Sequence, residues 1–111
     1  MKKITFYRLI RTDNGIGYQA DTGYLVRITR DGFILDLAIA KNKYGRWNIT
    51  HTATGLLVSR SSYGYYTRQE AFDSITDDLV NAIISRLSTR DVIRYVDMLS
   101  EYAYQQQAAR A

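Results

Sequence analysis

The chain reads as an α+β domain: an antiparallel sheet of about five strands, followed by two C-terminal antiparallel helices packed on one face. Three observations predict this. Apolar and polar residues alternate at a period of two through most of the first 66 residues, which is a strand signature. Asp31-Gly32 separates two such runs, and Asp-Gly suits a two-residue type I′ turn because both central residues need positive φ. Thr67-Arg68-Gln69-Glu70 is a capping box: the Thr67 hydroxyl can accept from the Glu70 amide while the Glu70 carboxylate reaches back to the Thr67 amide. A length of 111 residues suits one domain with a single modest core. It divides into a sheet over 1–66, a helix pair over 67–104 and a polar tail over 105–111.

Ile4, Phe6, Arg8 and Ile10 alternate with Thr5, Tyr7 and Leu9, which predicts the first strand. Thr12 to Gly23 holds three Gly, two Asp and an Asn and reads as a long turn or loop. Tyr24–Arg30 and Phe33–Ala40 form the hairpin around Asp31-Gly32. Tyr24, Val26 and Ile28 share a face, and Phe33, Leu35, Leu37 and Ile39 are expected to face the core. Lys41-Asn42-Lys43-Tyr44-Gly45 is a basic turn. Arg46–Thr52 is the fourth strand, with Trp47, Ile49 and His51 on one side. Thr52-Ala53-Thr54-Gly55 turns the chain into a fifth strand, Leu56–Arg60, and Ser61–Tyr66 is an aromatic loop. Its three tyrosines cannot all point inward, so at least one is expected at the surface.

Behind the capping box the period becomes helical. Phe72, Ile75, Leu79, Ala82, Ile83 and Leu87 form one stripe, with Asp73 and Arg86 placed to suit the macrodipole of a single helix. Ser88-Thr89-Arg90-Asp91 breaks this helix and caps a second, whose stripe is Val92, Tyr95, Val96, Leu99, Tyr102 and Ala103. The short connection predicts an antiparallel pair. Gln105–Ala111 reads as a fraying helix end without a function of its own.

Charge is divided unevenly. Residues 1–66 carry ten Lys/Arg against four carboxylates, a balance of +6, whereas residues 67–111 stand at −2. The basic half also holds seven of the ten Tyr and the only Trp, which describes a surface built to meet a partner. No apolar run approaches the roughly 18–20 residues of a membrane span, and no signal-peptide pattern follows Met-Lys-Lys. The absence of Cys removes disulfides, thiolate nucleophiles and thiolate metal sites, and fits a cytoplasmic location. The absence of Pro leaves the turns to Gly, Asn and Asp.

Catalysis finds little support in the residue inventory. The single His, His51, sits on an apolar strand face with no orienting carboxylate nearby in sequence. It reads as a strand-end histidine hydrogen-bonded near the turn. Gly15-Ile16-Gly17 is only a fragment of a phosphate-binding loop, with no helix signal after it. Asp73, Asp77 and Asp78 read as a solvated helix face, because hard cations want ligands from a shaped loop. The chain is therefore expected to be no enzyme, with no catalytic residue, metal or cofactor.

Binding is better supported. Lys41, Lys43, Tyr44, Arg46 and Trp47 form one cluster of cations and aromatics, and Arg60, Tyr63, Tyr65, Tyr66 and Arg68 form another. Such residues dominate protein–protein hot spots. They also suit single-stranded nucleic acid, with cations on phosphates and rings under bases. Trp47 shares parity with Ile49 and is expected in the core. The element order is not that of an RRM, a KH domain or a double-stranded-RNA-binding domain. The first helix begins with acidic residues, unlike a recognition helix. The expected contacts are Lys43, Tyr44, Arg46, Arg60, Tyr63, Tyr65 and Tyr66.

Trp47-Asn48-Ile49-Thr50-His51-Thr52-Ala53-Thr54-Gly55-Leu56-Leu57-Val58, followed by Thr67-Arg68-Gln69-Glu70-Ala71, resembles a pattern in small phage and integrative-element proteins. The resemblance covers about a quarter of the chain and lies mostly in turn and cap residues. It implies a mobile-element origin, a class that includes anti-CRISPR proteins. Many of those are acidic DNA mimics, whereas this chain is basic, so DNA mimicry is not expected. The expectation is a non-enzymatic inhibitor that contacts a host protein or ribonucleoprotein complex in the host cytoplasm. The alternative is a nucleic-acid-binding accessory protein using the same surface, and a distant third is a small hydrolase or nuclease built on His51. The edges Ile4–Ile10 and Leu56–Ser59 also leave a homodimer open.

Overall fold

The computed structural model describes residues 1–30, 32–87 and 90–110. The described residues form an α+β fold with four strands and three helices. The strands are β1 (Lys3–Thr12), β2 (Gly15–Arg30), β3 (Phe33–Lys41) and β4 (Trp47–His51), joined antiparallel in the order β1-β2-β3-β4. The helices are α1 (Arg68–Asp73), α2 (Asp77–Leu87) and α3 (Arg90–Arg110).

The expected loop from Thr12 to Gly23 is instead the first half of β2. Thr12 pairs with Gly15 across Asp13-Asn14, and the ladder runs from there to Lys3–Tyr24. Gly15 takes the positive φ of the turn, +111°, and Gly23 serves a close approach. A Cβ at Gly23 would lie 2.6 Å from the Ile39 carbonyl oxygen and 2.9 Å from the Ala40 Cβ. At Tyr24 the strand changes partner, pairing with Lys3 on one edge and Ile39 on the other. The β1–β2 half then folds over β3–β4, and Leu9 N–H donates to the Gly55 carbonyl at 2.9 Å, closing the sheet toward β4. Phe6, Ala38 and Ala40 fill this inner side, with Ile4 against them.

The Tyr24–Arg30 and Phe33–Lys41 hairpin forms as expected. Arg30 pairs with Phe33, and Gly32 has φ +76°. Asp31, the other half of the predicted turn, lies outside the described residues. Leu35, Leu37 and Ile39 are buried, whereas Phe33, at the turn, is 45% exposed.

The predicted fifth strand, Leu56–Arg60, is reduced to one bridge between Thr50 and Leu57. His51 N–H donates to Leu56 O and Val58 N–H to Ile49 O, each at 2.9 Å. The next ladder donor, Ile49 N–H, is taken by the Ser59 hydroxyl at 2.9 Å. A side chain thus replaces the main-chain acceptor, and the pairing stops.

The single helix expected from the capping box is two. Thr67 caps α1, its hydroxyl accepting from Glu70 N–H at 3.0 Å. The helix ends at Asp73 because Ser74 and Thr76 bond to the backbone themselves. Ser74 Oγ donates to Ala71 O at 2.6 Å, and Leu79 N–H donates to Thr76 Oγ1 at 3.3 Å. The break resets the buried stripe to Leu79, Val80 and Ile83, leaving Phe72 and Ala82 exposed. It also places Asp73 at the C-terminal end of α1, where the macrodipole disfavours it, while Asp77 and Asp78 occupy the favoured first turn of α2.

The main core joins these helices to one sheet face. Leu35, Leu37, Ile39 and Ile49 pack with Val58, Ala71, Leu79, Val80 and Ile83. Arg30 ties α2 to the sheet through Asp77 and Asn81. The capping residues Ser88 and Thr89 expected for the last helix lie outside the described residues. In α3, Val92 and Leu99 are buried as expected. The residues from Gln105 onward continue α3 as its end, to Arg110. Rather than completing the α1–α2 layer, α3 lies along the β1–β2 half: Tyr102 meets Tyr7 edge-on at 5.4 Å and Tyr18 at 5.3 Å. No helix among the described residues is long and apolar enough to cross a membrane.

Candidate partner-binding surface

The β3–β4 turn and the 61–67 loop, separate clusters in sequence, are stitched into one surface. Asn42 organises the turn. Its Oδ1 accepts from Tyr44 N–H at 2.9 Å and Arg46 N–H at 3.1 Å, and its Nδ2 donates to Tyr63 O at 3.2 Å. Trp47 and Tyr65 exchange main-chain bonds of 2.7 Å in both directions. Gly64, at φ +89°, allows this approach, since a Cβ there would meet Asn48 Oδ1 at 2.7 Å and Trp47 O at 2.8 Å.

Cations lie over rings throughout this surface. The Arg46 guanidinium stacks 4.3 Å above the Tyr66 ring and donates to its hydroxyl at 3.0 Å. Lys43 Nζ lies 5.1 Å from the Tyr44 ring, and Lys41 Nζ lies 5.9 Å from Trp47. Arg68 stacks 4.5 Å from Tyr24, whose ring lies 6.3 Å from Trp47. Each exposed pair contributes on the order of 0.5–1 kcal/mol, enough to bias long side chains toward one geometry. Tyr44, Tyr63 and Tyr66 are each 72% exposed, well beyond what packing requires.

Of the seven expected contacts, Lys43, Tyr44, Arg46, Tyr63 and Tyr66 come together here. Tyr65 is half-buried, its ring packed on the main core beside Trp47. Its role is to hold the loop rather than to project from it. Arg60 is exposed and makes none of the ring or hydrogen-bond contacts that join the cluster. Trp47, expected in the core, packs against it but is only half-buried. Tyr24 is an addition no local signal indicated, because it lies in another strand and reaches the surface through the fold.

His51 is 6% exposed, its Nδ1 2.8 Å from Thr54 Oγ1. Burial pushes its pKa below the ordinary value, with the Asp36 carboxylate pulling the other way. Asp36 is itself held below the usual carboxylate range by its hydrogen bond from Arg27. Among the described residues no group of three or more His, Asp or Glu side chains is arranged to hold a metal ion.

No protein-family model, curated protein or solved structure matches this chain.

Proposed function

We propose that this protein is a non-enzymatic binding protein that docks its cation–aromatic surface onto an acidic surface of a partner protein. The observation that supports this is the preassembled Arg46–Tyr66 stack beside exposed Tyr44 and Tyr63. Tyr and Arg are the residues that most often dominate binding energy, and ordering them before contact lowers the entropy lost on association. The location of the only His supports a binding role over a hydrolytic one, since His51 is buried and engaged by Thr54. Together with the resemblance to phage and integrative-element proteins, this favours a host nuclease complex as the partner. Contact would block that complex in the manner of an anti-CRISPR protein. The charge balance of +6 in residues 1–66 favours an acidic partner face and argues against DNA mimicry.

The test is capture of partners from host lysate by tagged protein, with and without nuclease treatment, using wild type and Tyr66→Ala. The expected result is a discrete nuclease-resistant partner whose affinity falls at least about 30-fold in the variant, the scale of a hot-spot residue. The thermal midpoint should fall only slightly, because Tyr66 is exposed and the variant loses no more than its contact with Arg46, about 1 kcal/mol or less. Recovery of nucleic acid alone, lost on nuclease treatment, would overturn the reading.

A further inference from the structure

β2 is an interior strand of the sheet, yet it has two neighbours at only one point along its length. Residues 15–24 pair with β1 and residues 24–30 with β3. The last bond from the β1 side joins Leu25 N–H to Lys2 O at 2.8 Å. Beyond it, no strand of the described residues lies against the side of β2 away from β3. Strand alternation sets which main-chain groups open there, because successive residues direct their N–H and C=O to opposite edges. Leu25 faces β1, so Arg27 and Thr29 face the same way. β3 gives this register independently: Asp36, opposite Arg27, turns its carbonyl to Thr52 N–H at 3.1 Å rather than to β2. The N–H and C=O of Arg27 and Thr29 therefore make no hydrogen bond among the described residues, and both residues are exposed.

Open edges are commonly guarded by charged side chains. Here the two arginines of the segment are turned away from the edge. Arg27 forks onto Asp36 of β3 at 2.8 and 2.9 Å, and Arg30 is drawn to Asp77 and Asn81 of α2. Space also flanks the edge. On the α1–α2 side lies a cavity of about 460 Å³, lined by Val26, Ile28, Phe72, Ile75 and Val80 among others. On the α3 side lies one of about 510 Å³, and Leu25 and Arg27 line both. The first is mainly apolar, with Phe72 40% exposed beside it. The carboxylates that line the two cavities, Asp36 and Asp77, are each held by an arginine. Lys2, on the α3 side, makes no ion pair among the described residues. The charge left to a ligand here is positive.

From this arrangement we infer that the Arg27–Arg30 edge of β2 takes an extended segment of a partner protein as an added strand, in which apolar side chains alternate with acidic ones. Main-chain bonds to Arg27 and Thr29 hold the segment. Its apolar side chains cover Phe72 and Ile75, and the alternate, acidic ones face Lys2. The inference stands apart from the cation–aromatic reading, since it uses none of the residues of that surface.

The experiment is a titration of isotope-labelled protein with short capped peptides, followed by backbone amide shifts. One peptide alternates Val and Glu, a second holds the same residues in two blocks, and a third alternates Val and Lys. The Val–Glu alternation should shift the Arg27 and Thr29 amides and slow their exchange with solvent. Thr29→Pro removes the outward N–H alone, a change that edge positions tolerate. It should weaken binding about tenfold, the scale of a main-chain bond lost with its partner left unpaired. Lys2→Glu, at an exposed residue, leaves folding intact whatever the proline does. It should weaken the Val–Glu peptide several-fold and strengthen the Val–Lys one. No binding, equal affinity for the blocked peptide, shifts centred away from Arg27 and Thr29, or unchanged affinity in either variant would overturn the inference. So would a concentration-dependent dimer abolished by Thr29→Pro, which would give the edge to a second copy of the chain.

Discussion

At the scale of the residue, the least replaceable positions are those where backbone approaches backbone. Gly55 has φ +74°, and a Cβ there would lie 3.0 Å from both Leu9 N and Tyr7 O. Gly55→Ala must therefore pay for a left-handed conformation and a main-chain clash together. We expect a loss of about 2–4 kcal/mol, measurable as a lower denaturation midpoint, from the usual cost of a strained backbone plus displaced neighbours. A midpoint within error of wild type would mean that β1 does not approach the 52–55 turn. His51 makes a second residue-scale prediction. Its folded pKa lies below the unfolded value of about 6.5, so in the window beneath that value the unfolded chain binds a proton the folded chain refuses. Its contribution to stability is complete above this pH and falls as pH drops through it. The lowered pKa of Asp36 acts in the same direction, with its contribution lost as pH falls below the ordinary carboxylate value of about 3.9. The thermal midpoint should drop between pH 7.5 and 5.5, and His51→Gln should flatten that drop; an unchanged slope would assign it to another group.

At the scale of the element, side chains decide where regular structure stops. Ser59 ends the pairing beside β4, Thr67 starts α1, and Ser74 and Thr76 separate α1 from α2. Thr67→Ala removes the acceptor for Glu70 N–H and should cost about 1 kcal/mol, the usual value of an N-cap. Because α1 follows directly on the tyrosine loop, the variant should also raise amide exchange around Tyr65 and Tyr66. Exchange unchanged in that loop would show that the cap acts on the helix alone. The two-part helix has a further effect: Arg30 meets Asp77 in the first turn of α2, which a continuous helix would not offer as a terminus.

At the scale of the whole molecule, both edges of the sheet are partly covered. Leu9 N–H on the outer side of β1 already donates to Gly55 O, and β4 is paired with Leu56, Val58 and Tyr65. Edge-to-edge dimerisation through Ile4–Ile10 or Leu56–Ser59 would have to displace these bonds. We therefore expect a monomer of 12.8 kDa by sedimentation equilibrium at micromolar concentration. A concentration-dependent dimer would place the interface elsewhere or require the edge to open. The division of charge is also a whole-molecule property. The basic half builds the sheet and its turns, whereas the three helices come from the half with the balance of −2.

What the sequence by itself determined was local: the period-two runs of β1, the central hairpin and β4, the Thr67 cap, the inward faces of β3 and β4, and the exposure of the loop tyrosines. Each depends on contacts within a few residues or on a repeat that burial enforces. Tertiary structure alone decided the rest. The first half of β2 looks like a loop because its glycines are read as breakers. Gly23 is needed where β2 crosses Ile39 and Ala40, a contact invisible along the chain. Leu56–Arg60 has strand-like residues but loses its ladder to Ser59. Likewise, the two basic-aromatic clusters were legible separately, while their union and the addition of Tyr24 were not. Periodicity records which face of an element is buried, but not which distant element lies against it, and that second fact is what assembles a site.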